Sequence, residues 1–406
     1  NYIEIDDYKI SSTSEPYFIA EVGNNHNGNI NLAFKLIDIA AESGCNAVKF
    51  QLRNMSTLYR NKTLEFKDTD LSVEYTLDLL NKFQLSNEAH KTLLEYCKKR
   101  GIQYLCTPWD VESVNFLETE LNLPAYKVAS ADLTNIHLLN KLCEIEKPII
   151  LSTGMSKLSE IQEITNLLNN ARAKFILLHC NSTYPAAAND INLEFIKTLQ
   201  ELHTFVGYSG HERGIAISIA AATLGAVLIE RHITIDKEME GPDHKASLLP
   251  HELKQLVEGI KEVTLAKGLG GTRILSQGEI INRENLAKSV VANGYIGKGT
   301  RITNSMLKIR SPGQGLSPLK IPFLINLKAR RNFDDEDFFF ESDIYNGEND
   351  DFVFSSPLNW GIPVRFHDYG TLFNKFKPKL LEFHLSYKDL SFEFEKTFNQ
   401  KEGTDF

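Results

Sequence analysis

The sequence has no apolar run longer than a single strand, so nothing in it is expected to span a bilayer. It has no Cys-x-x-Cys pair, and its five cysteines, Cys45, Cys97, Cys106, Cys143 and Cys180, are odd in number and scattered through apolar stretches. That pattern fits buried thiols in a reducing cytoplasm better than a disulfide framework. No Gly-x-Gly-x-x-Gly follows the first strand-like run and no Walker-type loop occurs, so neither dinucleotide nor nucleotide phosphate binding is indicated. Positive charge is in deficit, with 44 Lys and Arg against 53 Asp and Glu. A net charge of −9 argues against a nucleic-acid surface, although a pocket can still be locally basic for a small anion. The start of the chain has no basic segment leading into an apolar one, so no secretory signal is expected.

What is present is a rhythm. From about residue 17 to 266, short β-branched runs alternate with amphipathic stretches of helical length. Strands are predicted at 17–22, 47–52, 102–107, 126–130, 148–152, 175–180, 204–208 and 227–232. Helices are predicted at 31–43, 87–100, 111–121, 159–169 and 215–224. Eight such units in roughly 250 residues is the count and length of a (β/α)₈ TIM barrel, and a doubly wound sheet of five or six strands would leave units over. Residues 1–14 alternate as a hairpin that would close the barrel's base, and 71–84 form an insertion on the loop side. The barrel is expected to occupy 1–275. A linker over 276–287 then leads to a compact β-rich domain at 288–345, with related strand patterns at 288–310 and 328–344. Residues 346–406 remain an unassigned extension with one plausible buried strand at 380–385.

The polar residues gather at the strand ends, which in a barrel face one shared pocket. In strand order these are Glu21 with Asn24, Asn25 and His26; Lys49 and Gln51; Thr107; Lys127, Ser130 and Asp132; Ser152 and Thr153; His179, Asn181, Ser182 and Tyr184; Ser209 and His211; and Glu230 and His232. Singly, each has an ordinary explanation: a Ser or Thr caps the next helix, a Lys pairs with a carboxylate, and His179 is a satisfied core histidine. That explanation does not account for eight polar strand ends together. His211 and His232, on adjacent strands, are placed to share a divalent cation with positions left open for substrate. The turn at residues 241–244 would bring Asp243 over the same pocket. Lys49 and Lys127, with the hydroxyls of Thr107, Ser130 and Ser152, form a donor set suited to an enol phosphate.

Five strings carry a resemblance: Glu21-Val22-Gly23-Asn24-Asn25-His26-Asn27-Gly28, Ala47-Val48-Lys49-Phe50-Gln51, Leu151-Ser152-Thr153-Gly154-Met155, Gly207-Tyr208-Ser209-Gly210-His211 and Glu230-Arg231-His232. Their ordered set resembles the sialic acid synthase family of N-acetylneuraminate, legionaminate and pseudaminate synthases. The likeness continues into 289–344, which is similar to the family's antifreeze-like (SAF) domain, with Arg310-Ser311-Pro312-Gly313-Gln314-Gly315 as landmark. The resemblance implies condensation of phosphoenolpyruvate with an N-acyl hexosamine. It implies Mn²⁺, or Mg²⁺ or Co²⁺ in its place, on His211 and His232. Lys49, Lys127, Thr107, Ser130, Ser152 and Ser182 would bind phosphoenolpyruvate, and Glu21, Gln51, Asp132, Tyr184 and Asp243 the open-chain sugar. Glu21, Lys127 and Asp132 would stand nearest the chemistry, and Arg310 would act across a domain-swapped homodimer.

Three departures stand out. Asp132 occupies a position where many bacterial members carry glutamate, Ser311 is one extra residue after Arg310, and 346–406 extends past the usual end, a candidate start of a fused domain. Other readings are a metal hydrolase, which would show a His-x-His pair on the first strand, a related synthase without the SAF domain, and a non-catalytic sugar binder, which would have lost Lys127, His211 or His232. The acceptor is left open, with the strings at 207–211 and 246–248 resembling the animal branch that uses a phosphorylated sugar.

Overall fold

The computed structural model describes residues 2–58, 79–268, 270–344, 361–364 and 380–383. The chain forms two compact units, 1–271 and 272–406. The first opens with a hairpin, β1 (Ile3–Ile5) and β2 (Tyr8–Ile10), and continues into eight parallel strands. These are β3 (Tyr17–Gly23), β4 (Ala47–Leu52), β5 (Gln103–Pro108), β6 (Tyr126–Val128), β7 (Ile149–Ser152), β8 (Phe175–Cys180), β9 (Val206–Gly210) and β10 (Leu228–His232). The first barrel strand, β3, pairs with the last, β10, and β5 lies beside β6, so the ring is closed. The expected (β/α)₈ barrel is present.

Local chemistry sets the helix limits. Ser86 caps Asn87–Arg100 through its side chain, and Gly101 ends it at φ 66, a left-handed conformation that costs glycine nothing. Asn29 caps Ile30–Glu42, whose Ala33, Leu36, Ile37 and Ala40 form one buried stripe at helical spacing. The run predicted as a single helix over 111–121 is α-helical at Val111–Phe116 and then widens into a π turn over Leu117–Leu121. The hairpin does close the base, because Ile3, Ile5 and Ile10 pack against Tyr17, Ile19, Ala47, Leu105, Ile150, Ile176, Leu178 and Leu228 at the strands' amino-terminal side. Of the 71–84 insertion, residues 71–78 lie outside the described residues.

The segment expected as a linker, 276–287, holds a helix, Gln277–Leu286, started by a Ser276 capping box with Glu279, and the first compact unit runs to Gly271. The capping signal is present in the sequence but is crowded by the glycines around it. This helix belongs to the second unit: the Gly313 N–H donates to Glu284 O (2.9 Å), and a Cβ at Gly313 would strike the helix's last turn. Strands β11 (Ser289–Ala292) and β12 (Leu307–Arg310) pair antiparallel. The 328–344 segment joins this unit through bridges Val291–Phe338, Ile296–Phe333 and Arg301–Lys328. A separate core of Val290, Ile296, Ile302, Leu316, Leu324, Phe333 and Phe339 fills this β-rich body. In the extension, β13 (Gly361–Val364) and β14 (Leu380–Phe383) pair in parallel, and Leu380 is half exposed rather than buried. The rest of 346–406 lies outside the described residues. Among the described residues no helix is long and apolar enough to cross a membrane.

Candidate active site

Strand alternation decides which side chains enter the barrel. On β10, Glu230 and His232 face inward while Arg231 faces the helical layer; on β4, Lys49 and Gln51 face inward. With Glu21, Thr107, Lys127, Ser130, Ser152, Cys180, Ser182, Tyr184, Ser209 and His211 they line a cavity of about 250 Å³ at the strands' carboxyl ends. Gly154 makes one wall of it possible, since a Cβ there would collide with the Ser182 and Ser130 hydroxyls.

Two lysines and two glutamates form the floor of this cavity. Lys49 Nζ lies 2.6 Å from Glu21 Oε2 and 3.7 Å from Glu230 Oε2, and donates to Thr107 Oγ1 at 3.0 Å. Lys127 Nζ donates to Ser152 Oγ at 2.6 Å and to the Val128 carbonyl at 2.9 Å, with Glu230 Oε1 at 3.9 Å. All four are buried. Burial lowers the Lys127 pKa, whereas the carboxylates beside Lys49 overcome burial and raise its own. Glu21 is held above the usual carboxylate range by burial that Lys49 only partly offsets. For Glu230, burial is outweighed by the two lysines and its pKa falls. The two carboxyl groups are thus shifted in opposite directions, Glu21 upward beside Lys49 and Glu230 downward between the two lysines.

The imidazoles sit above this floor. His211 and His232 ring centroids are 5.4 Å apart, and Tyr184 covers His211 at 4.0 Å. His211 Nδ1–H donates to the Asn181 carbonyl at 2.7 Å, which leaves Nε2 for a ligand. His232 is kept neutral by burial and by the positive charges around it, its pKa far below the ordinary value, and its Nδ1 is buried with no hydrogen-bond partner. A neutral imidazole with a free nitrogen beside a second one is the donor chemistry of a divalent-metal site. Among the described residues no group of three or more His, Cys, Asp or Glu is placed to hold a metal ion, so any metal here would rest on two histidines with positions left open.

Three predicted residues stand apart from the cavity lining. Asp132 lies on the turn after β6, accepts from Asn135 Nδ2 at 2.9 Å and leaves its other oxygen buried without a partner. Asp243 lies beside His232, its Oδ2 3.9 Å from His232 Nδ1, with burial raising its pKa. Arg310 is in the second unit, exposed, 3.6 Å from a Glu336 oxygen. Several strand-end groups also prove structural. Asn25 donates to Ile233 O and Ser247 Oγ, both at 2.8 Å, and His179 donates to the Ile191 carbonyl at 2.7 Å. His26 packs on Phe50, and burial pushes its pKa to about 3. The sequence placed Ser209 and Glu230 at the pocket without assigning either a part in it, and did not single out Cys180, Trp109 or Met155; all five line the cavity. Alternation was the available signal for two of them: Glu230 shares a face with His232, and Cys180 shares one with the inward Ile176 and Leu178.

Residues 36–272 match the NeuB family. The N,N'-diacetyllegionaminic acid synthase of Campylobacter jejuni is 42% identical over 79% of this chain and 97% of its own. The chain belongs to the NeuB family. Among its relatives, the human N-acetylneuraminate-9-phosphate synthase is 35% identical over 81% of this chain and 93% of its own. The N-acetylneuraminic acid synthetase of Leptospira borgpetersenii, solved in complex with citrate, superposes with a TM-score of 0.63 at 33% identity, covering 70% of this chain and 97% of its own. The NeuB match falls on the barrel, and the β-rich second body lies beyond it.

Proposed function

We propose that this enzyme condenses phosphoenolpyruvate with an N-acyl hexosamine of the N-acetylmannosamine type, releasing phosphate and a nonulosonic acid. The observation that carries the proposal is the paired arrangement Lys49–Thr107 and Lys127–Ser152 sharing one cavity with two imidazoles. Relatives named as synthases of legionaminic, neuraminic and pseudaminic acids support it. Lys49, Lys127, Thr107, Ser130, Ser152 and Ser182 hold the enol phosphate, where ammonium and hydroxyl donors in a water-poor cavity are at their strongest. Gln51 and Tyr184, which line the cavity, orient the open-chain sugar. Carbon 3 of phosphoenolpyruvate bonds to the aldehyde carbon, water adds at carbon 2, and the bond from carbon 2 to the phosphate oxygen breaks. Glu21, beside Lys49 on the cavity floor and with its pKa raised by burial, is the carboxyl group placed to pass a proton to the new alkoxide or to take one from the water.

A divalent ion, Mn²⁺ or a close substitute, would be held by His211 and His232 and would supply Lewis-acid polarisation of the sugar aldehyde. In the same reading the second unit is an SAF domain, and Arg310 reaches the acyl group of a sugar bound by the other subunit of a domain-swapped homodimer. The five free thiols suit a cytoplasmic enzyme. The test is phosphate release from phosphoenolpyruvate with Mn²⁺ across N-acylated hexosamines with and without a 6-phosphate. Release that depends on one sugar supports the reading and names the acceptor. No release with any of them, from folded and metal-loaded protein, would overturn it.

A further inference from the structure

His211 and His232 each have a charged neighbour in sequence that turns away from the cavity, and those two neighbours meet. Arg231 precedes His232, and Glu212 follows His211. The Arg231 and Glu212 side chains are 1% and 2% exposed and form an ion pair, NH1 to Oε1, at 2.7 Å. The guanidinium fork is used further: NH1 donates to Gly214 O at 2.9 Å and Ser218 Oγ at 2.8 Å, and NH2 donates to the Glu212 carbonyl at 2.6 Å. On the carboxylate, Tyr208 OH donates to Oε2 at 2.8 Å and Ser218 Oγ to Oε1 at 2.7 Å. Space was cleared for the pair, because Arg231 sits opposite Gly210 in the ladder and a Cβ on Gly210 would run into Glu212 Oε2 and Arg231 Cδ.

Stability alone explains this arrangement poorly. A fully buried ion pair contributes little more than apolar side chains of the same volume, since desolvation cancels most of the attraction. A Lys in place of Arg231 could not make four contacts from a planar fork. What the network does fix is backbone position. It ties β10, the end of β9 and the Ala216–Thr223 helix together, one residue from each imidazole. Because successive strand side chains point to opposite faces, a tilt of Arg231 or Glu212 outside the barrel becomes a tilt of His232 or His211 inside it.

We propose that Arg231 and Glu212 are positioning residues that set the separation and aim of the two imidazoles, and through them the affinity for a divalent ion. This rests on the two-histidine reading above. Residues that orient metal ligands from behind are worth about ten- to a hundredfold in metal affinity.

The test uses the full chain, as the double substitution R231M/E212L, which keeps volume and leaves no unpaired buried charge, and separately as E212Q, which keeps shape and removes the charge. Metal-free protein is titrated with Mn²⁺, following the free ion by electron paramagnetic resonance. Phosphoenolpyruvate binding is read from the fluorescence of Trp109, which lines the cavity, and folding from thermal melting. The expected result in a folded variant is a Kd for Mn²⁺ raised about ten- to a hundredfold with phosphoenolpyruvate affinity unchanged. Unchanged Mn²⁺ affinity, or equal weakening of both ligands, overturns the proposal while leaving the two-histidine site standing. Wild-type protein that binds phosphoenolpyruvate but no Mn²⁺ overturns the two-histidine site itself, and this proposal with it.

Discussion

The same eight strands end in opposite chemistries. Their carboxyl ends hold two lysines, two glutamates and two histidines within one small cavity, while their amino ends are sealed by Ile3, Ile5 and Ile10 against Tyr17, Ile19, Ile150, Ile176 and Leu228. Burial is as deep at both ends. The base gains free energy from that burial, because nearly all the surface it removes from water is apolar. The mouth loses some, because buried charge must be matched partner by partner and here is matched incompletely: Glu230 Oε2 and His232 Nδ1 have no hydrogen-bond partner. Function in a barrel is therefore to be sought at the end where buried charge stays incompletely matched, since substrate or metal can complete it there.

That contrast predicts which changes hurt activity and which hurt only stability. The largest effect is expected from His211→Ala or His232→Ala, each lowering metal-dependent kcat/KM by about a thousandfold or more. Near-normal turnover in either, measured with added Mn²⁺, would remove the two-histidine assignment. At the base, Ile5→Ala should cost about 2–4 kcal/mol of stability in denaturant unfolding and leave both KM values alone. A raised KM in a folded Ile5→Ala protein would mean that the two ends are not separable. Lys127→Ala comes next, weakening phosphoenolpyruvate about a hundredfold and the sugar much less, as read from the two KM values. The reverse pattern would contradict the role proposed for Lys127 in holding the phosphate.

Buried histidines extend the comparison to pH. His90 lies away from the cavity, bonded to Tyr104 OH at 2.6 Å and packed edge-on against Phe50, and burial lowers its pKa from 6.5 to about 4. The folded state therefore binds fewer protons here than the unfolded chain below pH 6.5. Stability is complete above 6.5 and is lost as the pH falls from 6.5 to about 4, at about 1.4 kcal/mol per unit. At pH 5 the loss from this group is about 2 kcal/mol, and His90→Phe should flatten that part of the stability curve. An unchanged slope between pH 6.5 and 5 in the variant would show that other groups carry it.

Much of this architecture was legible in sequence, for a definable reason. Barrel strands buried on both faces read as compact apolar runs, so the limits of β4 (Ala47–Leu52) and β8 (Phe175–Cys180) agree with those read from the sequence. Polar residues at their ends stood out against that background. What escaped notice was local or long-range. The Ser276–Glu279 capping box lies among glycines, and its helix buries none of its residues, leaving no apolar stripe to read. Asn25 and His179 looked like pocket groups because strand ends were counted by position, whereas their partners, Ile233 and Ile191, are set by how loops return. Arg231 and Glu212 were invisible as a pair, since a nineteen-residue separation says nothing about contact until β9 and β10 lie side by side.

The smallest expected effect tests the second unit against the first. Arg310 is exposed, paired only loosely with Glu336 at 3.6 Å and bonded to its neighbour's carbonyl at 3.2 Å. Such a surface pair is worth little, so Arg310→Ala should leave melting unchanged. If the guanidinium meets the acyl group of a sugar bound by the other subunit, the variant loses a rim contact, and the sugar KM rises about five- to tenfold with kcat nearly constant. The phosphoenolpyruvate KM should not move, because the lysines proposed to hold the phosphate lie on the barrel. Mixing Arg310→Ala chains with Lys127→Ala chains, assayed at low sugar, sharpens the point: only a heterodimer that exchanges second units can assemble one site with both side chains intact. Recovery of about a quarter of wild-type activity in the mixture is expected from random pairing. No recovery, from chains shown to exchange, would confine Arg310 to its own subunit.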